Sequence, residues 1–279
     1  MSAPCWQSSL QAPRFKLLIC NTVTMNSKIE AILVKKGKTP VSELTAYDYP
    51  TARLVDEAGV DMILVGDSLG MMMLGFPDTT HVTLEHMLHH TAAVVRAVKN
   101  AVVVADMPIN TYDTPEQALQ TARALMATGA DAVKLEGGAA KEAHIRAIVQ
   151  AGIPVQGHIG LLPQKVKEEG GYRMHGKTDE EAAAIMRDME AVVRAGAFSV
   201  VIECTRHSVA AAITKACPIV TIGIGAGRGT CDGEVAVFHD LVGAFPWFVP
   251  GFAKPRADIA AHISRAVKEY IANVQMPTE

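Results

Sequence analysis

The sequence predicts an α/β fold, a single (β/α)8 barrel. Short apolar runs alternate with longer amphipathic stretches, one phrase of helix stop, strand and polar residue recurs, and 279 residues suit one such barrel. The runs are VSELTA, VDMILVG, AVVVAD, DAVKLE, IPVQGHIG, FSVVIE and PIVTIGIG, each short enough to be a buried parallel strand. The recurring phrase is seen in AGVDMILVG, TGADAVKLE, AGIPVQGHIG and AGAFSVVIE, which argues for βα units wound in one direction. No Gly-rich nucleotide fingerprint follows the first strand, so a closed barrel is favoured over an open doubly wound sheet.

Taken in order, residues 1–24 lack acidic side chains, and their apolar piece (Leu17, Leu18, Ile19, Cys20) is too short for a signal-peptide core. They are read as a disordered extension, and residues 25–279 as the barrel domain. MNSKIEAILVKKGK reads as an opening helix. Residues 83–98 carry Leu84, Met87, Leu88, Thr91, Val94, Val95 and Val98 at spacings of three and four, a helical stripe. A further helix, 115–128, is opened by Thr114 as N-cap with Pro115 in its first turn. The helix 179–194 begins with acidic residues, which suit the positive end of its dipole. Gly59, Gly129, Gly152 and Gly196 are placed as C-terminal stops. Seven strands are legible; the eighth is expected within 242–249.

Composition narrows the function. The chain is 49% apolar with a formal charge of -3 and no basic tail, so no electrostatic footprint for nucleic acid is present. No apolar run approaches the roughly 20 residues of a membrane helix. Five scattered cysteines (Cys5, Cys20, Cys204, Cys217, Cys231) form no CxxC pair, which argues against a zinc site or a disulfide framework and for a reducing cytoplasm.

The strand ends carry the chemistry. Asp67 closes the second strand, Asp106 the third, Glu136 the fourth, His158 the fifth and Glu203 the sixth, with Lys134 two residues before Glu136 on the same face. In a barrel these ends converge on one mouth, so carboxylates, a lysine and a histidine gather there. Each has a duller reading: an acidic N-cap, an ion-paired lysine, a hydrogen-bonded core histidine. Five consecutive strands ending in titratable groups fit such accidents poorly. Carboxylates crowded at apolar strand ends need neutralising, and magnesium, which takes oxygen ligands, suits that task. The run GIGAGRG after the seventh strand could bind phosphate through backbone amides, or could simply let the loop turn.

Together LTAYDYPTARLVDEAGVDMILVGDSLGM, VVVADMP, TPEQAL, AVKLEGG, IPVQGHIGLLPQ, GGYRMHG, VIEC, IGIGAG and DGEVAVFHD resemble the ketopantoate hydroxymethyltransferase family, from about Lys28 almost to the C-terminus. The resemblance implies a barrel of the phosphoenolpyruvate/pyruvate superfamily that assembles into homo-decamers. It implies transfer of a hydroxymethyl group from 5,10-methylenetetrahydrofolate to 3-methyl-2-oxobutanoate through a magnesium-stabilised enolate, the entry to pantothenate and coenzyme A synthesis. By the same resemblance Asp67 and Asp106 hold Mg2+, with Glu136 contributing directly or through water. Asp67, Ser68, Asp106 and Lys134 line the 2-oxo acid, His158 lies near it, and Glu203 is the general base. GFPDTTHVTLEHM and AFPWFVPGFAKPRADI match more loosely, with Gly251 where a lysine is expected. Two rival readings are a magnesium-dependent lyase or mutase of the isocitrate lyase type and a non-catalytic metabolite-binding barrel. The first lacks its KKCGH-like loop here, and the second would sit better with a chain that had lost Lys134 or Glu203.

Overall fold

The computed structural model describes residues 26–168 and 170–276, so the extension expected over 1–24 lies outside the described residues. Helix α1 (Ser27–Leu33) precedes strand β1 (Val41–Thr45), followed by α2 (Tyr49–Glu57), β2 (Met62–Val65), α3 (Leu69–Met72), α4 (Leu84–Ala97) and β3 (Val102–Asp106). Then come α5 (Pro115–Met126), β4 (Ala132–Glu136), α6 (Glu142–Gln150), β5 (Val155–Gly160), α7 (Asp179–Ala195) and β6 (Ser199–Glu203). The remaining elements are α8 (His207–Ala216), β7 (Val220–Ile224), β8 (Gly233–Ala236), α9 (Phe238–Val242) and α10 (Ile259–Gln275). The eight strands close a barrel in sequence order, and the neighbouring pairs run parallel from β1 to β8. The expected (β/α)8 architecture is present.

The helices form where their caps and stripes direct. Thr83 caps α4 by accepting from His86 N at 3.4 Å, while His86 Nδ1 accepts from Thr83 N at 3.1 Å, a capping box closed by histidine. Met87, Thr91, Val94 and Ala97 form its buried face, and the expected Leu84, Leu88, Val95 and Val98 flank that face half-buried. Thr114 caps α5 and Thr178 caps α7. Helix α7 stops at Gly196, whose φ of 92° is left-handed, and Gly59, Gly129 and Gly152 adopt positive φ at the corresponding helix ends.

The eighth strand departs from expectation. It is Gly233–Ala236, not within 242–249, and no helix separates it from β7. An ordinary helix-before-strand rhythm therefore overshoots it. Pro246 cannot donate to a strand ladder, and the residues around it form turns. GEVA is short and interrupted by Glu234, which points outward and accepts from Gly229 N at 3.1 Å. A Cβ on Gly233 would lie 2.2 Å from Val41 O, so glycine is what lets β8 approach β1 and close the seam, where Val41 N donates to Asp232 O at 3.0 Å.

Inward positions alternate along every strand. The first inward residues (Val41, Met62, Val102, Ala132, Val220) join Ile29 and Ile32 of α1 in one apolar cluster, so α1 covers the N-terminal end of the barrel. Lys28 fastens it there through Ala101 O at 3.0 Å and Asp131 Oδ2 at 3.3 Å. Polar inward residues are thereby reserved for the middle and the C-terminal mouth.

The chain parts into two compact units, residues through Val235 and residues from Ala236 onward. In the second, α9 and α10 are tied by Arg256 N to Leu241 O at 2.7 Å and Ala260 N to Gly243 O at 3.1 Å, and Asp258 caps α10.

Candidate active site

Five strand ends bring the predicted residues to one mouth. Asp106, Glu136 and Glu203 are the last residues of β3, β4 and β6, and Lys134 and His158 lie two residues before the ends of β4 and β5. Asp67 stands two residues beyond β2, in the turn that enters α3, and Ser68 occupies the N-cap of that helix without capping it. Register pairs Asp106 with Lys134 and Glu136 with His158, so both pairs face inward at matching heights. Asp67, Asp106, Lys134, Glu136, His158 and Glu203 are all buried.

The central contact is an ion pair, Lys134 Nζ to Asp106 Oδ2 at 2.7 Å, with side chains 5% and 2% exposed. Burial pulls the Lys134 ammonium down, but Asp106, Glu136 and Asp67 together outweigh it and hold the charge in place. Asp67 N donates to the same Asp106 oxygen at 3.4 Å. Burial, followed by the Asp106 charge, pushes the Asp67 carboxyl up to about 7, while Lys134 and Gln164 oppose the shift. Burial and then Asp67 likewise raise Glu136 well above the ordinary carboxyl range. One ammonium thus faces more negative charge than it can neutralise.

On the other side of the mouth, His158 Nε2 lies 3.2 Å from Glu203 Oε2 and Nδ1 lies 3.9 Å from Glu136 Oε1. Neither approach has hydrogen-bond alignment. Burial lowers the imidazole pKa against the pull of Glu203, which favours the neutral ring. Glu203 is held by its strand end: Leu161 N donates to Glu203 O at 3.0 Å, and Cys204 follows at φ 43°, a left-handed residue pinned by Ile224 O at 2.8 Å. A Cβ at Gly160 would lie 2.3 Å from Glu203 O, and Gly160 itself has φ 90°. Ser68 Oγ bonds Tyr47 Oη at 2.8 Å beside Asp67.

Three polar residues of this region were not among the expected set. Gln164, in the short turn Pro163–Lys165 after β5, reaches both Asp67 and Glu136. Its position directly after the β5 mouth was a usable signal. Tyr112 donates to Gln164 Oε1, but it lies in a loop where tyrosine has no distinctive spacing. Glu43 sits deeper, between inward Val41 and Thr45 on β1, where period-two alternation places an acid inside. It accepts from Gln156 Nε2 at 3.2 Å, and burial pushes it up to about 7 against that hydrogen bond.

The donor set can be tested for a cation. Among the described residues, no three His, Cys, Asp or Glu side chains form a complete metal cluster. Yet Asp106 Oδ1 and Glu136 Oε1 are buried hard oxygens without a hydrogen-bond partner. That suits an ion taking one or two carboxylates and filling its shell with waters and substrate oxygens, as magnesium does. Chemically, the mouth offers carboxylates for such an ion, a fixed ammonium for an anionic substrate, and a further carboxylate, Glu203, opposite them.

Known proteins resemble this chain over most of its length. A family model described as ketopantoate hydroxymethyltransferase matches residues 26–278. The 3-methyl-2-oxobutanoate hydroxymethyltransferase of Pyrobaculum islandicum is 53% identical over 241 residues, 86% of this chain and 92% of the relative. That of Hyperthermus butylicus is 56% identical over 247 residues, 88% and 85% of the two chains. In fold, the chain is similar to the phosphoenolpyruvate phosphomutase of Streptomyces platensis subsp. rosaceus, with TM-score 0.62, 16% identity, and 89% and 87% of the two chains covered. A phosphonopyruvate hydrolase gives TM-score 0.62 at 16% identity over 90% and 87%. These structural likenesses bear on the barrel alone.

Proposed function

The chain belongs to the ketopantoate hydroxymethyltransferase family, and on that premise we propose that it transfers a hydroxymethyl group from 5,10-methylenetetrahydrofolate to 3-methyl-2-oxobutanoate, giving 2-dehydropantoate. The observation that carries the reading is the opposition, across one buried mouth, of the Lys134–Asp106 pair to Glu203.

Asp67 and Asp106, with Glu136 directly or through water, would hold Mg2+, which when bound supplies Lewis acidity to the ketone and carboxylate oxygens of the substrate. Lys134, fixed by Asp106, presents its remaining N–H donors to the substrate carboxylate. Ser68, oriented by Tyr47, lines the same substrate. Glu203 takes the proton from the carbon beside the ketone, and the electron pair of that C–H bond passes into the enolate. Neutral His158, 3.2 Å away, leaves the Glu203 lone pairs without a cationic partner while flanking the reacting carbon. The enolate carbon then bonds to the methylene carbon delivered by the folate. Water supplies the hydroxyl oxygen: both C–N bonds of that methylene carbon break, the two protons of water pass to the freed nitrogens of the departing tetrahydrofolate, and the new hydroxyl oxygen takes the proton held by Glu203.

The family also leads us to propose a homo-decamer acting in the cytoplasm at the first committed step of pantothenate and coenzyme A synthesis. No helix among the described residues is long and apolar enough to cross a membrane. The direct test of the base is Glu203→Gln, with exchange of the substrate's alpha-proton followed by proton NMR. Exchange should fall at least ~100-fold, the lower range for a positioned base. Exchange at the wild-type rate would remove Glu203 from the role.

A further inference from the structure

Gln164 is 4% exposed and makes four hydrogen bonds to three stretches of chain: the segments after β2 and at the end of β4, and the β3–α5 loop. Its side-chain nitrogen donates to Asp67 Oδ2 at 2.8 Å and to Met107 O at 3.0 Å, just past the ends of β2 and β3. Its backbone nitrogen donates to Glu136 Oε2 at 3.0 Å, at the end of β4. Its Oε1 accepts from the Tyr112 hydroxyl. Both amide hydrogens and the carbonyl are therefore used, and a flipped amide would set its oxygen against a carboxylate and a carbonyl.

We propose that Gln164, itself held by Tyr112, is a positioning residue that orients the carboxylates of Asp67 and Glu136 to receive the divalent cation. This rests on the metal reading above. The side-chain amide occupies one oxygen of Asp67, the contact that a side-chain substitution removes, while the backbone N–H of Gln164 occupies one oxygen of Glu136 and leaves Glu136 Oε1 buried and unpartnered. Lys134, by contrast, neutralises the acid it binds. A neutral donor fixes orientation without adding a positive charge that would repel the cation. Groups that orient metal ligands in this way typically change affinity by ~10–100-fold when removed.

The test uses Mn2+ as the probe, with free ion counted by electron paramagnetic resonance in the full chain and its Gln164→Met and Tyr112→Phe variants. Gln164→Met keeps length and loses every side-chain hydrogen bond. Its Mn2+ dissociation constant should rise ~10–100-fold with the circular dichroism spectrum unchanged, and alpha-proton exchange should return toward the wild-type rate at saturating Mn2+. Tyr112→Phe should move the constant in the same direction by less. Wild-type affinity in both variants would overturn the proposal while leaving the metal reading in place. Failure of the wild-type chain to bind Mn2+ would overturn both. If Gln164→Met does not fold, Tyr112→Phe decides, and an unchanged constant there counts against Gln164.

Discussion

Replacing Lys134 by Met should destabilise the metal-free protein by an amount that grows with pH. The pair it belongs to spans 2.7 Å and is almost wholly buried. At an effective dielectric of about 20, the direct attraction is about 6 kcal/mol, set against several kcal/mol of desolvation for each ion. Methionine removes the lysine's desolvation but leaves Asp106 charged and facing Asp67 and Glu136. Breaking one side of such a pair costs ~3–5 kcal/mol. The buried carboxyls can escape part of this by keeping protons, as Asp67, raised to about 7 by burial and then by Asp106, already tends to do. A folded state that holds protons the unfolded chain has released loses stability as pH rises. The loss should therefore be small near pH 5 and approach the full ~3–5 kcal/mol at pH 8. Urea unfolding in the presence of a chelator at both pH values measures it. Adding Asp106→Asn should restore most of the loss, because it removes the stranded charge. A loss under ~1 kcal/mol at pH 8, or one larger at pH 5 than at pH 8, would show that the pair does not balance the site's charge.

Glu43→Gln should stabilise the protein at pH 8 by up to ~3 kcal/mol, from its rise from 4.5 to about 7 on burial. Because its folded pKa is raised, the stability tied to its proton is complete below about 4.5 and lost as pH climbs through 7. The variant's stability curve should be flatter across that window in urea titrations, and an unchanged slope would count against the assignment. Gly160→Ala should cost ~1–3 kcal/mol for its left-handed φ and slow alpha-proton exchange as well, since its Cβ would strike the carbonyl of Glu203; wild-type exchange in a folded variant would contradict this. Asp56→Ala strips the acceptor from the amides of Lys99, Asn100 and Ala101 ahead of β3 and should cost ~3 kcal/mol or more, checked by thermal unfolding; a loss under ~1 kcal/mol would mean water replaces the carboxylate.

Much of the barrel was legible because buried parallel strands and amphipathic helices differ in period, and glycine stops mark their junctions. The eighth strand was not, since Gly233–Ala236 is too short for a periodic signal and follows β7 without a helix. At the mouth, Asp106, Glu136, His158 and Glu203 could be placed because each closes or nearly closes an apolar run, and Lys134 because alternation puts it on the same face as Glu136. Asp67 and Ser68 lie beyond β2, where the turn into α3 rather than the strand pleat orients them. Gln164 and Tyr112 were missed for a related reason: loop residues carry no periodic constraint, and their convergence depends on tertiary closure. Glu43 was readable in principle, an acid at an inward strand position, but a lone acid gives no hint that Gln156 awaits it two residues inside β5.

Deuterium exchange at the alpha carbon of 3-methyl-2-oxobutanoate, followed by proton NMR first with magnesium and then with a chelator, probes the proposed enolate chemistry before any folate is added. Exchange that requires magnesium, with 2-dehydropantoate appearing once 5,10-methylenetetrahydrofolate is supplied, is the expected result. A folded, magnesium-loaded protein that exchanges nothing would contradict it and leave Glu203, Lys134 and the carboxylates beside them as a binding site without turnover.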